Sequence, residues 1–249
     1  MTIITHAKDS EQKLKNLFKN LLESKARFPN KKIFKLKDGT SFYLPIKHDC
    51  IQQWIILHNE YFEQEEMDSI FQYIPQETVM LDIGANVGSH TLYFCNTLNA
   101  TKVYAFDPNP EMVEIFKKNM ELNKKDNVVI TQAAVGESKG KSSLIINDDW
   151  KINRGGVRVK SDEKGEVDVI SIDEFLADKE ENIGFVKIDV EQFEKEVLNG
   201  MVKTIEKYKP VIYLEIYDKN IEYVFDKLYG LGYKFKCKVG GWNYLFVPK

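Results

Sequence analysis

The sequence predicts an α/β fold: a mostly parallel sheet wrapped by helices, with its last strand antiparallel. Three observations carry this expectation. From Val79 onward, short apolar runs alternate with helical stretches, the pattern of a parallel sheet whose strands are joined by crossover helices. The first run, "VMLDIGANVGSHTLYF" (79–94), passes from a strand through glycines into a helix, which brings bare backbone close to a ligand at a helix N-terminus. The last two runs, "YKFKCKV" and "WNYLFVP", are joined by Gly240-Gly241, too few residues for a crossover, so the final strand must return antiparallel.

Taken in order, residues 10–26 have helical spacing, with Leu14, Leu17, Phe18, Leu21 and Leu22 on one stripe. "KKIFKLKDGTSFYLPI" reads as a hairpin turning at Asp38-Gly39. A helix is expected over Glu63 to Tyr73. Residues 1–74 are taken as an N-terminal helix and hairpin appendage, covering the active site or forming an oligomer contact, and 75–249 as the ligand-binding domain. Strand 79–83 leads to a helix over 88–98. Strand 102–106 leads to helix 109–122, with Asn109 as N-cap and Pro110 in the first turn. Strand 127–131 follows, then a polar excursion, "NDDWKINRGGVRVKSDEKGE", expected as an extra hairpin. "VDVISIDEFL" gives a short strand and a helical turn. Strand 185–190, a helix to about 206, strand 211–216 and a helix over 219–230 complete the alternation.

The whole chain bounds the function. Its 249 residues are 43% hydrophobic, enough for one large domain with a buried core. A net charge of −3 argues against nucleic acid as a partner. The basic residues are uneven: Lys13, Lys15, Lys19, Lys25, Arg27, Lys31, Lys32, Lys35 and Lys37 meet only Glu23 in their stretch. They form a solvated face or a surface for an acidic partner, such as a nucleotide- or phosphate-linked substrate. Cys50, Cys95 and Cys237 have neither disulfide nor zinc spacing. The start "MTIITHAKDS" lacks a signal peptide's apolar run, and no stretch approaches the roughly 20 apolar residues that span a bilayer. A reduced, cytoplasmic protein without membrane insertion is expected.

The glycine loop separates two cofactor classes. A dinucleotide loop needs G-x-G-x-x-G so that pyrophosphate can approach. Here the run is D-I-G-A-N-V-G, with Asn86 at the second glycine position and Asp82 ahead of Gly84. An acid beside pyrophosphate is repulsive, whereas an acid near a sulfonium and an ammonium is favourable. S-adenosylmethionine carries both cations. Asp82, Gly84, Asn86, Gly88 and Thr91 are therefore expected to wrap its amino-acid end. Asp107, at the tip of "YAFDPNP", is placed to accept both ribose hydroxyls. Gln132 and Ala133 would flank the adenine.

With these motifs in hand, the sequence resembles the FkbM family of S-adenosylmethionine-dependent methyltransferases. The resemblance runs from about Glu63 to Glu215 through "MLDIGANVGSHTL", "FDPNPEMVEIFKKNMELN", "AAVGESKGKSSL", "INRGGV", "ISIDEF", "VKIDVEQFEKEVLNG" and "YLEI". Gln192 stands where the family usually has glycine, and Asp107 where it often has glutamate. The resemblance implies a class I (Rossmann-like) methyltransferase fold with a seven-stranded sheet. It also implies methyl transfer, most often to an oxygen of a sugar or other small hydroxylated compound, in surface-glycan or secondary-metabolite pathways. It favours Glu63 as a residue over the cofactor.

A hydroxyl nucleophile must lose its proton, and a carboxylate or histidine can take it. Asp189 and Glu191 lie at the C-terminal edge of strand 185–190, where open parallel sheets bind ligands, and on an extended segment they would point the same way. The bland alternative is that Glu191 only caps the following helix. Glu215 ends another apolar strand, and His90 follows the glycine loop directly. His58, and Asp148, Asp149 and Trp150 in the excursion, are further candidates. No D-x-D-like cluster points to a metal. Rival readings are an NAD-dependent oxidoreductase, disfavoured by Asn86 and Asp82; a methyltransferase for RNA, protein or another amine, for which no N/D-P-P-Y-type motif appears; and a non-catalytic binder. A homo-oligomer is compatible with the sequence.

Overall fold

The computed structural model describes residues 32–145 and 153–249. The helix expected over 10–26, the lysines before Lys32, and Asp148, Asp149 and Trp150 lie outside the described residues.

A hairpin, β1 (Ile33–Lys35) and β2 (Ser41–Tyr43), turns at Asp38-Gly39 as expected. Two short helices follow, Cys50–His58 and Gln64–Ile70, the second running into a 3₁₀ turn at Phe71–Tyr73. The first of these was not expected. Asp49 starts it by accepting from the Gln52 amide, a side-chain cap.

The alternation then builds β3 (Val79–Ile83), β4 (Lys102–Phe106), β5 (Val128–Thr131), β6 (Ala134–Val135), β7 (Gly140–Ile145), β8 (Arg158–Ser161), β9 (Val167–Ile170), β10 (Ile183–Ile188), β11 (Val211–Glu215), β12 (Tyr233–Val239) and β13 (Asn243–Pro248). The main sheet has seven strands in the order β12-β13-β11-β10-β3-β4-β5. β3, β4, β5, β10 and β11 pair in parallel, and β13 lies antiparallel to both β11 and β12, as the Gly240-Gly241 turn demanded. A second sheet, β6-β9-β7-β8, takes in Arg158–Ser161 from the excursion, which pairs antiparallel with β7, a strand that precedes the excursion.

Side-chain alternation sends the strand residues to two cores. Met80, Val103, Ala105, Phe185, Tyr213 and Leu245 face one side; Leu81, Ile83, Phe106, Ile188, Leu214 and Phe246 face the other. The first side is covered partly by the N-terminal segment, whose Phe42, Leu44, Ile55 and Met67 are fully buried in the same cluster. Polar clamps reinforce that seat. Asn119, on the helix Pro110–Leu122, and Asn123, its C-cap, accept from the amides of Tyr43 and Ser41 at 2.6 and 2.9 Å, and Asn119 donates to the Val87 carbonyl of the glycine loop at 2.8 Å.

The helix expected from 191 to 206 is divided into Glu194–Asn199 and Val202–Tyr208. Gly200 lies so close to the Gly136 carbonyl that a Cβ would approach it to 1.9 Å. Asp173 starts the second piece by accepting from the Lys203 and Thr204 amides.

Truncating Phe42 to alanine should cost about 3–5 kcal/mol, the range for a buried phenylalanine. Urea unfolding should remain a single transition, because residues 32–74 share the sheet's core. Two separated transitions would show that this segment folds apart from it.

Candidate active site

The C-terminal ends of β3, β4, β10 and β11 open onto a cavity of about 610 Å³, at the place where strand order reverses between β3 and β10. Its wall has two halves. One is built from the ends of β3 and β4 and the turn after β5; the other comes from β10, β11, the β12–β13 turn and the N-terminal segment.

On the first half, Gly84 has φ +82 and packs so tightly that a Cβ would stand 1.7 Å from the Asp189 carbonyl oxygen. Asn86 is also left-handed, at φ 52, and its amide donates to Asp107 Oδ2 at 2.8 Å. The Asn109 amide donates to Asp107 Oδ1, also at 2.8 Å. Both oxygens of Asp107 are thus fixed by backbone while the group stays on the cavity wall. Burial pushes its pKa up to about 6, against the opposing pull of the Asn109 and Asn86 amides. Ala133 is buried on the same wall. The loop 153–157 closes this end. Asn109 Nδ2 donates to the Arg154 carbonyl, the Arg154 amide donates to Asp49 Oδ2, and Gly155 sits against the Asn86 side chain.

The second half is rich in acids. Glu63, Glu66, Asp189, Glu191 and Glu215 line it, together with Tyr217, Trp242 and Asn243. Glu63 enters from a left-handed residue, φ 56, at the start of its helix. Glu66 Oε2 accepts from Tyr213 Oη at 2.9 Å and Asn243 Nδ2 at 2.8 Å. Tyr217 Oη donates to Glu191 Oε2 at 2.8 Å, and its ring stacks on Trp242 at 5.8 Å and 13°. Burial, then Glu66 and Asp189, raise Glu63 to about 8; burial, then Asp189, raise Glu191 to about 7. Burial and the neighbouring Asp189, Glu191 and Glu63 hold Glu215 well above the usual carboxylate range.

Beneath the floor lies Lys187. Its Nζ stands 3.1 Å from the Gly84 carbonyl, 3.3 Å from Asp189 Oδ2 and 3.7 Å from Asp82 Oδ1. Burial works to lower its pKa, but Asp189, Asp82 and Glu63 outweigh burial and raise it.

The expected site residues divide accordingly. Gly84, Asn86, Asp107, Ala133, Asp189, Glu191, Glu215 and Glu63 meet on the wall. Asp82 and Thr91 do not reach it. The Thr91 hydroxyl donates to Asp82 Oδ2 at 2.6 Å, and both are fully buried behind the loop. Gly88 turns its Cα against Phe116 and Gln132 faces solvent. His90 is buried behind Glu63, its Nε2 3.6 Å from Glu63 Oε2, and burial, then Lys187, depresses its pKa well below 6.5. His58 stacks on Trp54. Glu191 is not on an extended strand with Asp189: β10 ends at Ile188, and Glu191 and Gln192 are left-handed at φ 49 and 79. The helix start it was weighed against belongs to Glu194, which accepts from the Gln192 amide at 2.8 Å.

Sequence reasoning missed Glu66, Tyr217, Trp242, Asn243 and Lys187. For Lys187 a signal existed, a lysine inside the apolar run "FVKIDV". The other four come to the wall through contacts between distant segments.

A seven-stranded sheet of this order, with a glycine loop and a fixed acid at the tip of the next strand, defines a methyltransferase of class I. Residues 82–235 match the family described as the Methyltransferase FkbM domain, and the chain belongs to that family. It is 28% identical over 157 residues to the hexuronic acid methyltransferase AglP of Haloferax volcanii, covering 60% of this chain and 61% of that protein. It is 29% identical over 119 residues to the tRNA (guanine(37)-N(1))-methyltransferase Trm5b of Methanocaldococcus jannaschii, covering 47% and 34%. The FkbM methyltransferase structure from Methylobacillus flagellatus KT aligns with a TM-score of 0.48 at 15% identity, covering 80% of this chain and 54% of that one. The chain spans about three fifths or less of the length of these curated relatives. Its cofactor is S-adenosylmethionine, and the wall fits one: a glycine cradle, an anchored carboxylate and a small buried residue suit an amino acid joined to a nucleoside. No helix among the described residues is long and apolar enough to cross a membrane.

Two predictions follow from this geometry. Asp107, Glu63 and Glu191 hold protons more tightly folded than unfolded, so the stability they contribute is complete below 3.8–4.5 and is lost as pH rises through about 6 to 8. His90 has the opposite sign, its share being lost as pH falls below 6.5. The urea midpoint of the ligand-free chain should fall between about pH 5.5 and pH 8.5, and Glu191→Gln should flatten that fall. The second concerns Gln192, whose left-handed backbone costs about 1–2 kcal/mol for a residue with a Cβ. Gln192→Gly should leave the chain equally stable or up to about 1 kcal/mol more stable, since glycine's added unfolded freedom offsets part of the gain. Gln192→Ala should gain nothing by the same denaturant measurement.

Proposed function

We propose that the chain transfers a methyl group to a hydroxyl oxygen of a sugar or similar small hydroxylated compound. The observation that carries this reading is one cavity with two unlike halves. A nucleoside-shaped half carries the anchored Asp107, and beside it lies a half of carboxylates, Asn243 and a stacked aromatic pair. Carboxylates and amides take up the hydroxyls of a polyol, and an aromatic face takes up its C–H surface.

S-adenosylmethionine supplies a methyl group on a good leaving group, so the chain's own task is placement, exclusion of water and acceptance of a proton. Asp107 would hold the ribose hydroxyls, Gly84 and Asn86 the amino-acid end, and Ala133 the adenine. Glu63 borders the junction of the two halves. On the acceptor side, Asp189 and Glu191 are the leading groups to receive the hydroxyl proton. Glu215, hydrogen-bonded to Asp189 and with its pKa held well above the usual carboxylate range by burial and by Asp189, would orient it. With a pKa of about 7, Glu191 is poised to take a proton near neutral pH. His90 would act through Glu63 rather than on the acceptor. An acid wall repels a polyanion, which supports a small molecule over nucleic acid. Three free thiols suit a reducing cytoplasm.

Thermal unfolding tests the donor half. A ligand at ~100 times its dissociation constant adds about 2.7 kcal/mol, roughly 5–10 °C for a domain of this size. S-adenosylmethionine and S-adenosylhomocysteine should each produce that shift, NAD none, and Asp107→Ala should abolish it. A shift with NAD alone would overturn the reading. Turnover is then read as S-adenosylhomocysteine formed with hydroxylated sugars, and Glu191→Gln should lower kcat by about a hundredfold or more, the lower end of the range for a lost proton acceptor.

A further inference from the structure

We propose that the acceptor carries an ammonium, and that the favoured substrate class is an amino sugar methylated on a neighbouring hydroxyl. The inference rests on the methyl-transfer reading and deepens it. Glu63, Glu66, Asp107, Asp189, Glu191 and Glu215 line the cavity, and no lysine, arginine or histidine among the described residues does. The ammonium of Lys187, near the floor, is already shared between Asp189 and Asp82 and is itself almost fully buried. Asp107 belongs to the donor half, and the donor brings one net positive charge. In the acceptor half, burial and mutual repulsion push Glu63, Glu191 and Glu215 toward their neutral forms, with Arg158 pulling Glu191 the other way, and an ammonium placed among them would relieve that repulsion.

A second observation points the same way. Tyr217 and Trp242 stack in parallel on the wall beside these acids, and Tyr217 also holds Glu191 in place. An aromatic face next to carboxylates attracts a cation by its ring quadrupole as well as by charge, and the same face accommodates a sugar ring. Behind Glu63, His90 is 5% exposed with its Nε2 lacking a hydrogen-bond partner, so burial has left the imidazole neutral and unable to neutralise the acids. An anionic acceptor such as a uronate or a sugar phosphate would meet these carboxylates with no described cation on the wall to receive it.

An ammonium has no lone pair, so it orients the substrate and does not react. The neighbouring hydroxyl oxygen forms the new O–C bond, the electron pair of the former S–C bond stays on sulfur, and the hydroxyl proton passes to a carboxylate of the wall.

The test is calorimetric titration of the full chain, saturated with S-adenosylhomocysteine, using glucosamine, galactosamine and mannosamine against their parent hexoses and the corresponding uronates. At least one amino sugar should bind about tenfold or more tighter than its parent hexose, as a partly desolvated cation–carboxylate and cation–π contact allows, with the uronates weakest. Glu191→Gln and Trp242→Ala should each shrink that preference while S-adenosylhomocysteine still binds, which shows that both variants are folded. Equal binding of amine and parent, tighter binding of a uronate, or no binding of any sugar to the loaded chain would overturn the proposal and leave the methyltransferase reading standing. Failure of S-adenosylhomocysteine itself to bind would instead sink that underlying reading, and the acceptor proposal with it.

Discussion

The site depends on one buried ammonium. Lys187 stands in a strand whose other inward residues are apolar, and its side chain is 3% exposed. A cation there is tolerable only because three oxygens from three elements surround it: Asp82 from β3, the Gly84 carbonyl from the loop and Asp189 from the end of β10. The same contacts make the carboxylates tolerable. Asp82 is fully buried, with Thr91 on one oxygen and Lys187 nearest the other. The acid ahead of the glycine loop therefore serves the loop's foundation. It secures the position of Gly84, which packs so closely on the Asp189 backbone that a Cβ would stand 1.7 Å from its carbonyl oxygen.

Around that foundation several backbone positions depart from regular geometry. Gly84, Asn86 and Gly88 on the loop, Glu63 above it, and Glu191 and Gln192 after β10 all have positive φ, and apart from Gly88 and Gln192 these residues line the cavity. Left-handed residues with side chains persist only where surrounding contacts over-determine them, and they gather where a chain must aim groups that a strand or helix would turn away. Glu191 illustrates this. An extended segment would have carried its side chain along with that of Asp189. The left-handed turn places it against Tyr217 Oη and beside Gly156.

The legible part of the molecule was the part governed by local rules. Strand–helix alternation, the Asp38-Gly39 hairpin, the Asn109 cap and the Gly240-Gly241 return need only neighbouring residues, and each appears where the pattern put it. The strand–glycine loop–helix passage and the position of Asp107 at a strand tip were legible because the turn out of a strand imposes residue types at fixed spacing. The helix Cys50–His58 was missed although its start, Asp49 accepting from the Gln52 amide three residues on, is a local signal the sequence carries. The helix after β10 was overextended because Gly200 breaks it through contact with Gly136, which no local pattern reveals. Asp82 was read as a ligand contact because sequence gives the order of residues but not which face of the loop they occupy. Glu66, Trp242 and Asn243 were invisible for a stronger reason: they become a site only after the chain's two ends are brought over the same strand tips.

This last point bears on how specificity is distributed. The matched family region, residues 82–235, contains the glycine loop, Asp107, Asp189, Glu191, Glu215 and Tyr217. Glu63 and Glu66 precede it, and Trp242 and Asn243 follow it. The two flanks meet directly, since Asn243 Nδ2 donates to Glu66 Oε2 and Gly240 packs against the same carboxylate. The wall that carries Gly84, Asn86 and Asp107 is thus built within the matched region, while the acid-rich wall is finished by segments outside it. The family match therefore bears on the wall built by the glycine loop and Asp107, and the acid-rich wall has to be read from its own charge and shape. In this chain that wall is acidic and aromatic, and the acceptor must answer to those two properties.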